Sequence, residues 1–266
     1  MKTVSLVFEL DFKKIEKNGR FWVKQCYKSK DFIFEYSAAS FATFLHHNPK
    51  RMHVVDTDNV DLLYSKMKKY NVNLSNFFIR NSKELIDEWK NYDYCFFPMH
   101  YHLKYVAENS SESIVKLDND LTCLQSIDDL DNFDGILAWK FERDVSKGRP
   151  YWGEILACNS ALGTSDFKEY NTGVLGISKN NLHIVDEFIE TTRKLISVDI
   201  SSATAGAKTE AARKAKMYST SAQTAENWVF HNNNLRITET NDYFFHHCYS
   251  IDAKQECIDS SKHLLK

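Results

Sequence analysis

Glycine and proline are scarce, with 8 and 3 among 266 residues. Neither G-x-x-x-x-G-K-[ST] nor G-x-G-x-x-G occurs, so neither a P-loop nor a Rossmann dinucleotide site is indicated. So few turn formers also argue against an all-β design built on tight turns. Charge of neither sign is in excess. A net charge of −2 and a pI near 6.6 leave no electrostatic footprint for DNA or RNA. The six cysteines (Cys26, Cys95, Cys123, Cys158, Cys248 and Cys257) are widely spread, with no C-x-x-C. They read as reduced thiols rather than a disulfide framework or a zinc cage. His46-His47 and His100/His102 lack the spaced partners zinc requires. No apolar run approaches the ~20 residues of a membrane span. The first residues, M-K-T-V-S-L-V-F-E-L, meet a charge too early for a signal sequence. The expectation is a chain with no membrane span, in a reducing compartment, the cytoplasm.

What is present is a generous core. Apolar residues make up 43% and aromatic residues 14%, more than a disordered chain carries. Strand-like runs at 4–10, 52–55, 77–79 and 94–97 alternate with helical patterns at 31–47, 61–70, 82–89 and 100–109. Strands alternating with helices imply a mixed, mostly parallel central sheet with helices on both faces, an α/β fold. A strand is expected at 135–139, an irregular stretch at 142–168, and a strong amphipathic helix at 182–198. Residues 199–224 have almost no large apolar side chains and read as a flexible excursion within a single domain spanning 1–266. A helix beginning at 225, short strands at 235–237 and 243–247, and a closing helix follow.

The chain is organised around Ser113 to Gln125, S-I-V-K-L-D-N-D-L-T-C-L-Q. Ile114, Val115 and Leu117 form a short buried strand that ends at Asp118-Asn119-Asp120. In an extended chain residues i and i+2 share a face, so Asp118 and Asp120 aim two carboxylates at one point. Two hard oxygen ligands suit Mg²⁺ or Mn²⁺. In an open α/β sheet, the carboxyl ends of strands are also where ligands bind. About 1.5 D-x-D pairs are expected by chance at this composition, and three occur. Asp129/Asp131 lies in an acidic stretch that reads as a solvated loop. Asp56/Asp58, after Val54-Val55, is the competitor.

An apolar strand, D-x-D and an apolar turn together resemble the signature of the GT-A glycosyltransferases. The resemblance implies a Rossmann-like GT-A domain that holds a divalent metal against the diphosphate of a nucleotide sugar. Asn171-Thr172-Gly173-Val174-Leu175 is similar to that family's segment near donor sugar and acceptor. His246-His247-Cys248, with Lys254 beyond, resembles an H-x-C…K ending that supplies a third metal ligand and a phosphate-binding lysine. Alternation along 244–248 separates His246 from His247, and the H-x-C spacing selects His246. The Gly/Pro pair usual before that lysine is missing. Lys104 matches a basic residue that some retaining members place against the diphosphate. Glu226, in A-E-N-W-V-F, resembles the general base of inverting members. The implied site is therefore Asp118, Asp120 and His246 for the metal; Lys104, Asp118, Asn171 and Lys254 for the donor; and Glu226 for catalysis. The implied cofactors are Mn²⁺ or Mg²⁺ and a UDP-sugar, and the acceptor a glycan or glycoprotein hydroxyl. A sugar nucleotidyltransferase and a non-catalytic partner-binding module are the alternatives.

Overall fold

The computed structural model describes residues 1–9, 30–91, 97–147, 152–198, 222–247 and 251–262. Its centre is β1 (Lys2–Val7). The strand pairs in parallel with β2 (His53–Thr57) on one side and β4 (Ile114–Leu117) on the other. β3 (Phe77–Asn81) extends the sheet in parallel beyond β2. On the far side, β9 (Val174–Ile177) runs antiparallel between β4 and β6 (Ile136–Ala138), and β10 (Ile237–Glu239) closes the edge parallel to β6. The order is β10-β6-β9-β4-β1-β2-β3. β9 is the one strand opposed to the rest, so the sheet is mixed and mostly parallel, as expected.

Alternation along β1 divides the helices between two faces. Val7 joins Val55 beneath α1 (Lys30–His47) and α2 (Val60–Lys69). Val4 and Leu6 point the other way, toward Ile86 and Trp89 of α3 (Lys83–Asn91) and Val106 of α4 (Phe97–Glu108). α1 is apolar around most of its circumference, with Phe32, Phe34, Tyr36, Phe41 and Phe44 all buried. Such a helix must be covered on both sides. It is packed between the sheet, α2 and the helix at Ile251–Ser261.

One expectation is corrected. The stretch 142–168 is not irregular: β7 (Phe141–Asp144) pairs antiparallel with β8 (Lys168–Tyr170), and α5 (Trp152–Leu162) lies between them. Asp129 belongs to a helical turn whose Leu130 is buried, and the neighbouring Asp131 and Asp128 are clamped by Arg51. α6 (Ile184–Ser197) buries the apolar face expected of it. The excursion at 199–224 lies outside the described residues up to 221, and its last three residues begin α7 (222–232). The strand expected at 94–97 likewise falls mostly outside them, and Phe97 opens α4. α8 (Ile251–Ser261) is the expected closing helix. No helix among the described residues is long and apolar enough to cross a membrane. Cys123, Cys158 and Cys257 are buried and take part in no disulfide.

Candidate metal centre

Three strand registers build the site. β4 ends at Leu117, opposite Val174, and the ladder continues as the Asp118 N–H donates to the Gly173 carbonyl at 2.8 Å. That register carries Asn171 to Gly173 alongside Asp118. The turn is locked to β1, because Asn119 Nδ2 donates to the Leu6 carbonyl (2.8 Å) and Ser5 Oγ to that of Leu117 (2.7 Å). Beyond it, β5 (Leu121–Cys123) pairs antiparallel with β11 (Phe244–His246), with His246 opposite Leu121. The His247 N–H then donates to the Asp120 carbonyl. A histidine more than a hundred residues distant is thereby set beside the D-x-D turn.

Ligand atoms of Asp118, Asp120 and His246 lie within 4.8 Å of one another. His246 Nε2 is 3.0 Å from Asp120 Oδ1 and 3.6 Å from Asp118 Oδ2. The other ring nitrogen is 2.9 Å from Asn171 Oδ1, which also accepts the Gly173 N–H. A side-chain carbonyl only accepts, so Nδ1 carries a proton, and Nε2 is the ring atom presented to the carboxylates: it donates to Asp120 when protonated, and its lone pair would serve a metal in place of that proton. The ring also stands edge-on to Trp139, whose indole N–H is held by the Phe244 carbonyl. Gly173 is required here by close approach, since a Cβ would lie 2.3 Å from the imidazole.

Two buried lysines flank the carboxylates. Lys254 Nζ sits 2.5 Å from Asp120 Oδ2 and donates to the His247 carbonyl, so the missing Gly/Pro pair does not displace it. Lys116 Nζ sits 2.7 Å from Asp118 Oδ1 and donates to the Thr172 carbonyl. Burial pushes the Asp120 pKa up, but the charges of Lys254 and His246 and their hydrogen bonds prevail and hold it far below the usual carboxylate range. Lys116 was missed in the sequence, although the alternation that pairs Asp118 with Asp120 also places residue 116 on their face.

Asn171 extends the network. Its Nδ2 donates to Glu142, which also receives Gln223 of α7. Asn227, one turn on, clamps the backbone of Tyr170 in β8. Glu226, between them, makes its hydrogen bond with His100 Nε2 at 2.9 Å and none with the cluster. Lys104 is not brought there either: it pairs with Asp186 of α6 and with Glu108. The competing Asp56/Asp58 pair is saturated by protein groups. Asp56 accepts from Arg80, Ser82 and His102, and Asp58 from Lys90 and the Glu9 N–H.

No protein-family model and no curated protein matches this chain. Solved structures do. The galactosyltransferase LgtC, in complex with donor and acceptor sugar analogs, is 11% identical, with 100% of this chain and 95% of that one covered at a TM-score of 0.48. The bifunctional glycosyltransferase WbbM is 10% identical over 99% of this chain and 44% of its own, at 0.49. A putative glucose-1-phosphate thymidylyltransferase from Bacillus anthracis is 9% identical over 98% and 95%, at 0.45. At such scores the likeness carries no argument about activity. The resemblance to the GT-A glycosyltransferases stands on this chain's own mixed sheet, its D-x-D at the end of β4 and its carboxylate–imidazole cluster.

Proposed function

We propose that the chain moves a sugar from a nucleoside diphosphate sugar, UDP-linked in this reading, to a hydroxyl of a glycan or glycoprotein, with Mn²⁺ or Mg²⁺ held by Asp118, Asp120 and His246. The observation that carries the reading is the convergence of Asp118 Oδ2, Asp120 Oδ1 and His246 Nε2 beside the carboxyl end of β4. Two hard oxygens and one imidazole fit Mn²⁺ or Mg²⁺, leaving further positions for water and phosphate oxygens. The bound ion would supply a positive charge against the diphosphate as it departs.

The remaining work falls to the chain. Asn171 fixes the tautomer and orientation of His246. Lys254 keeps Asp120 ionised and adds fixed positive charge beside the donor phosphates. Lys104, engaged with Asp186, takes no part in donor binding in this reading. Glu226 is buried and lies outside the carboxylate–imidazole cluster, with Oε1 paired to His100, and in this reading it orders that part of the fold rather than acting as a base.

The test is turnover of a panel of nucleotide sugars with Mn²⁺ and with chelator. The expected result is Mn²⁺-dependent release of nucleoside diphosphate. Pyrophosphate release from a nucleoside triphosphate and a sugar 1-phosphate would make the chain a nucleotidyltransferase instead. Failure to bind or turn over any donor contradicts the reading.

A further inference from the structure

Lys116 is a charge that a D-x-D metal site does not need. It stands inside β4, 5% exposed, between Ile114 and Asp118 on one face of the strand. Its ammonium is held at 2.7 Å from Asp118 Oδ1 and 2.9 Å from the Thr172 carbonyl. Lys254 does the same for Asp120 Oδ2 at 2.5 Å. Each carboxylate thus has one oxygen turned to His246 and the other taken by a lysine. Two aspartates (−2) and two lysines (+2) cancel before any charge on the imidazole is counted.

We propose that Lys116 is a built-in counter-cation that withholds the cluster from a bare divalent ion and admits the ion only together with an anionic diphosphate. A second consequence concerns ion size. With its outer oxygen occupied, Asp118 offers a single oxygen, which suits small octahedral ions better than Ca²⁺, whose carboxylates are often bidentate and whose ligands number 6–8. The inference rests on the proposed function, because it presupposes that the cluster takes a divalent ion and a nucleoside diphosphate.

The physical basis is electrostatic. A fixed unit charge a few ångströms from a dication repels it by more than a tenfold change in affinity even at the effective dielectric of a protein surface. Lys116 cannot swing away cheaply, since it is buried and also bonded to Thr172. A diphosphate entering with the ion restores the missing negative charge, so each raises the affinity of the other.

Electron paramagnetic resonance of Mn²⁺, titrated alone and then with UDP, tests this in the wild type, Lys116→Met and Lys116→Arg. Lys116→Met should bind Mn²⁺ alone at least about tenfold more tightly, gain correspondingly less from UDP, and be displaced by Ca²⁺ more readily. Lys116→Arg should stay with the wild type. Loss of packing would lower the melting temperature but would not raise Mn²⁺ affinity. If Lys116→Met does not fold, Lys116→Gln, which retains a donor for Thr172, takes its place with the same expected result. A wild type that takes up Mn²⁺ with UDP, beside a neutral variant that binds Mn²⁺ alone no more tightly, overturns the inference and leaves the functional reading standing. A wild type that takes up no Mn²⁺ even with UDP overturns the functional reading, and the inference with it.

Discussion

Gly173→Ala isolates the geometry of the cluster from its charges. The added methyl carbon would lie 2.3 Å from Cε1 and Nδ1 of His246, where 3.4–4 Å is ordinary contact. Position 173 is not in the left-handed region, so the backbone tolerates alanine and the clash alone decides the outcome. The ring must retreat by about 1 Å, but Asp120 holds its Nε2 at 3.0 Å and Trp139 stands across it. Metal ligation tolerates about 0.2 Å of error. Disturbing an outer partner of a ligating histidine costs roughly 10–100-fold in metal affinity, and overpacking adds about 1–3 kcal/mol of destabilisation. We therefore expect Mn²⁺ affinity, measured with UDP present, to fall by that factor in a folded protein, with denaturant unfolding giving the stability cost. Unchanged Mn²⁺ affinity would refute the placement of His246 in the metal site.

Asp56→Asn strips the buried partner from Arg80 and His102 and should cost about 3–5 kcal/mol, while Mn²⁺ binding persists; loss of Mn²⁺ binding at full stability would transfer the metal to the Asp56/Asp58 pair. Burial lowers the His53 pKa from 6.5 to about 3. The neutral ring is thus a stabilising feature above pH 6.5, and that stability is lost as the pH falls toward 3. The loss should reach about 2 kcal/mol at pH 5 and disappear in His53→Leu; identical acid profiles would refute it. Glu226→Gln should leave turnover near normal, because the carboxylate is buried beside His100 and makes no contact with the cluster, and the amide can still bond the imidazole. A drop of about 10²–10⁴ with an inverted product would restore Glu226 as the general base.

The parts of the molecule legible in sequence were those governed by short periods. Alternation of two pairs Asp118 with Asp120 at the end of β4 and sets His246 and His247 on opposite faces, while the choice of His246 rests on the resemblance to the H-x-C ending. The mixed sheet follows from the alternation of strands and helices. α5 escaped because Trp152 to Leu162 carries Gly153 and scattered polar residues with little amphipathic period. It is held instead by tertiary packing, as Ala157 and Cys158 meet Val145, Phe167 and Leu195. Ser82, at the entry to α3, gives its hydroxyl to Asp56. Lys116 and the Asn171–Glu142–Gln223 network escaped for a different reason. Their partners are distant in the chain: Thr172 lies 56 residues from Lys116, and Glu142 lies 29 from Asn171 and 81 from Gln223, so the local pattern marks a face but not the contact.

The central claim is that Asp118, Asp120 and His246 hold a divalent ion against a nucleoside diphosphate. Electron spin echo envelope modulation on Mn²⁺ with UDP bound to the protein addresses it directly. The account predicts a ¹⁴N coupling from one imidazole together with ³¹P couplings from the diphosphate, the nitrogen signal vanishing in His246→Gln while phosphorus remains. A spectrum indistinguishable from Mn²⁺–UDP free in solution, or a nitrogen coupling that survives in His246→Gln, would contradict it.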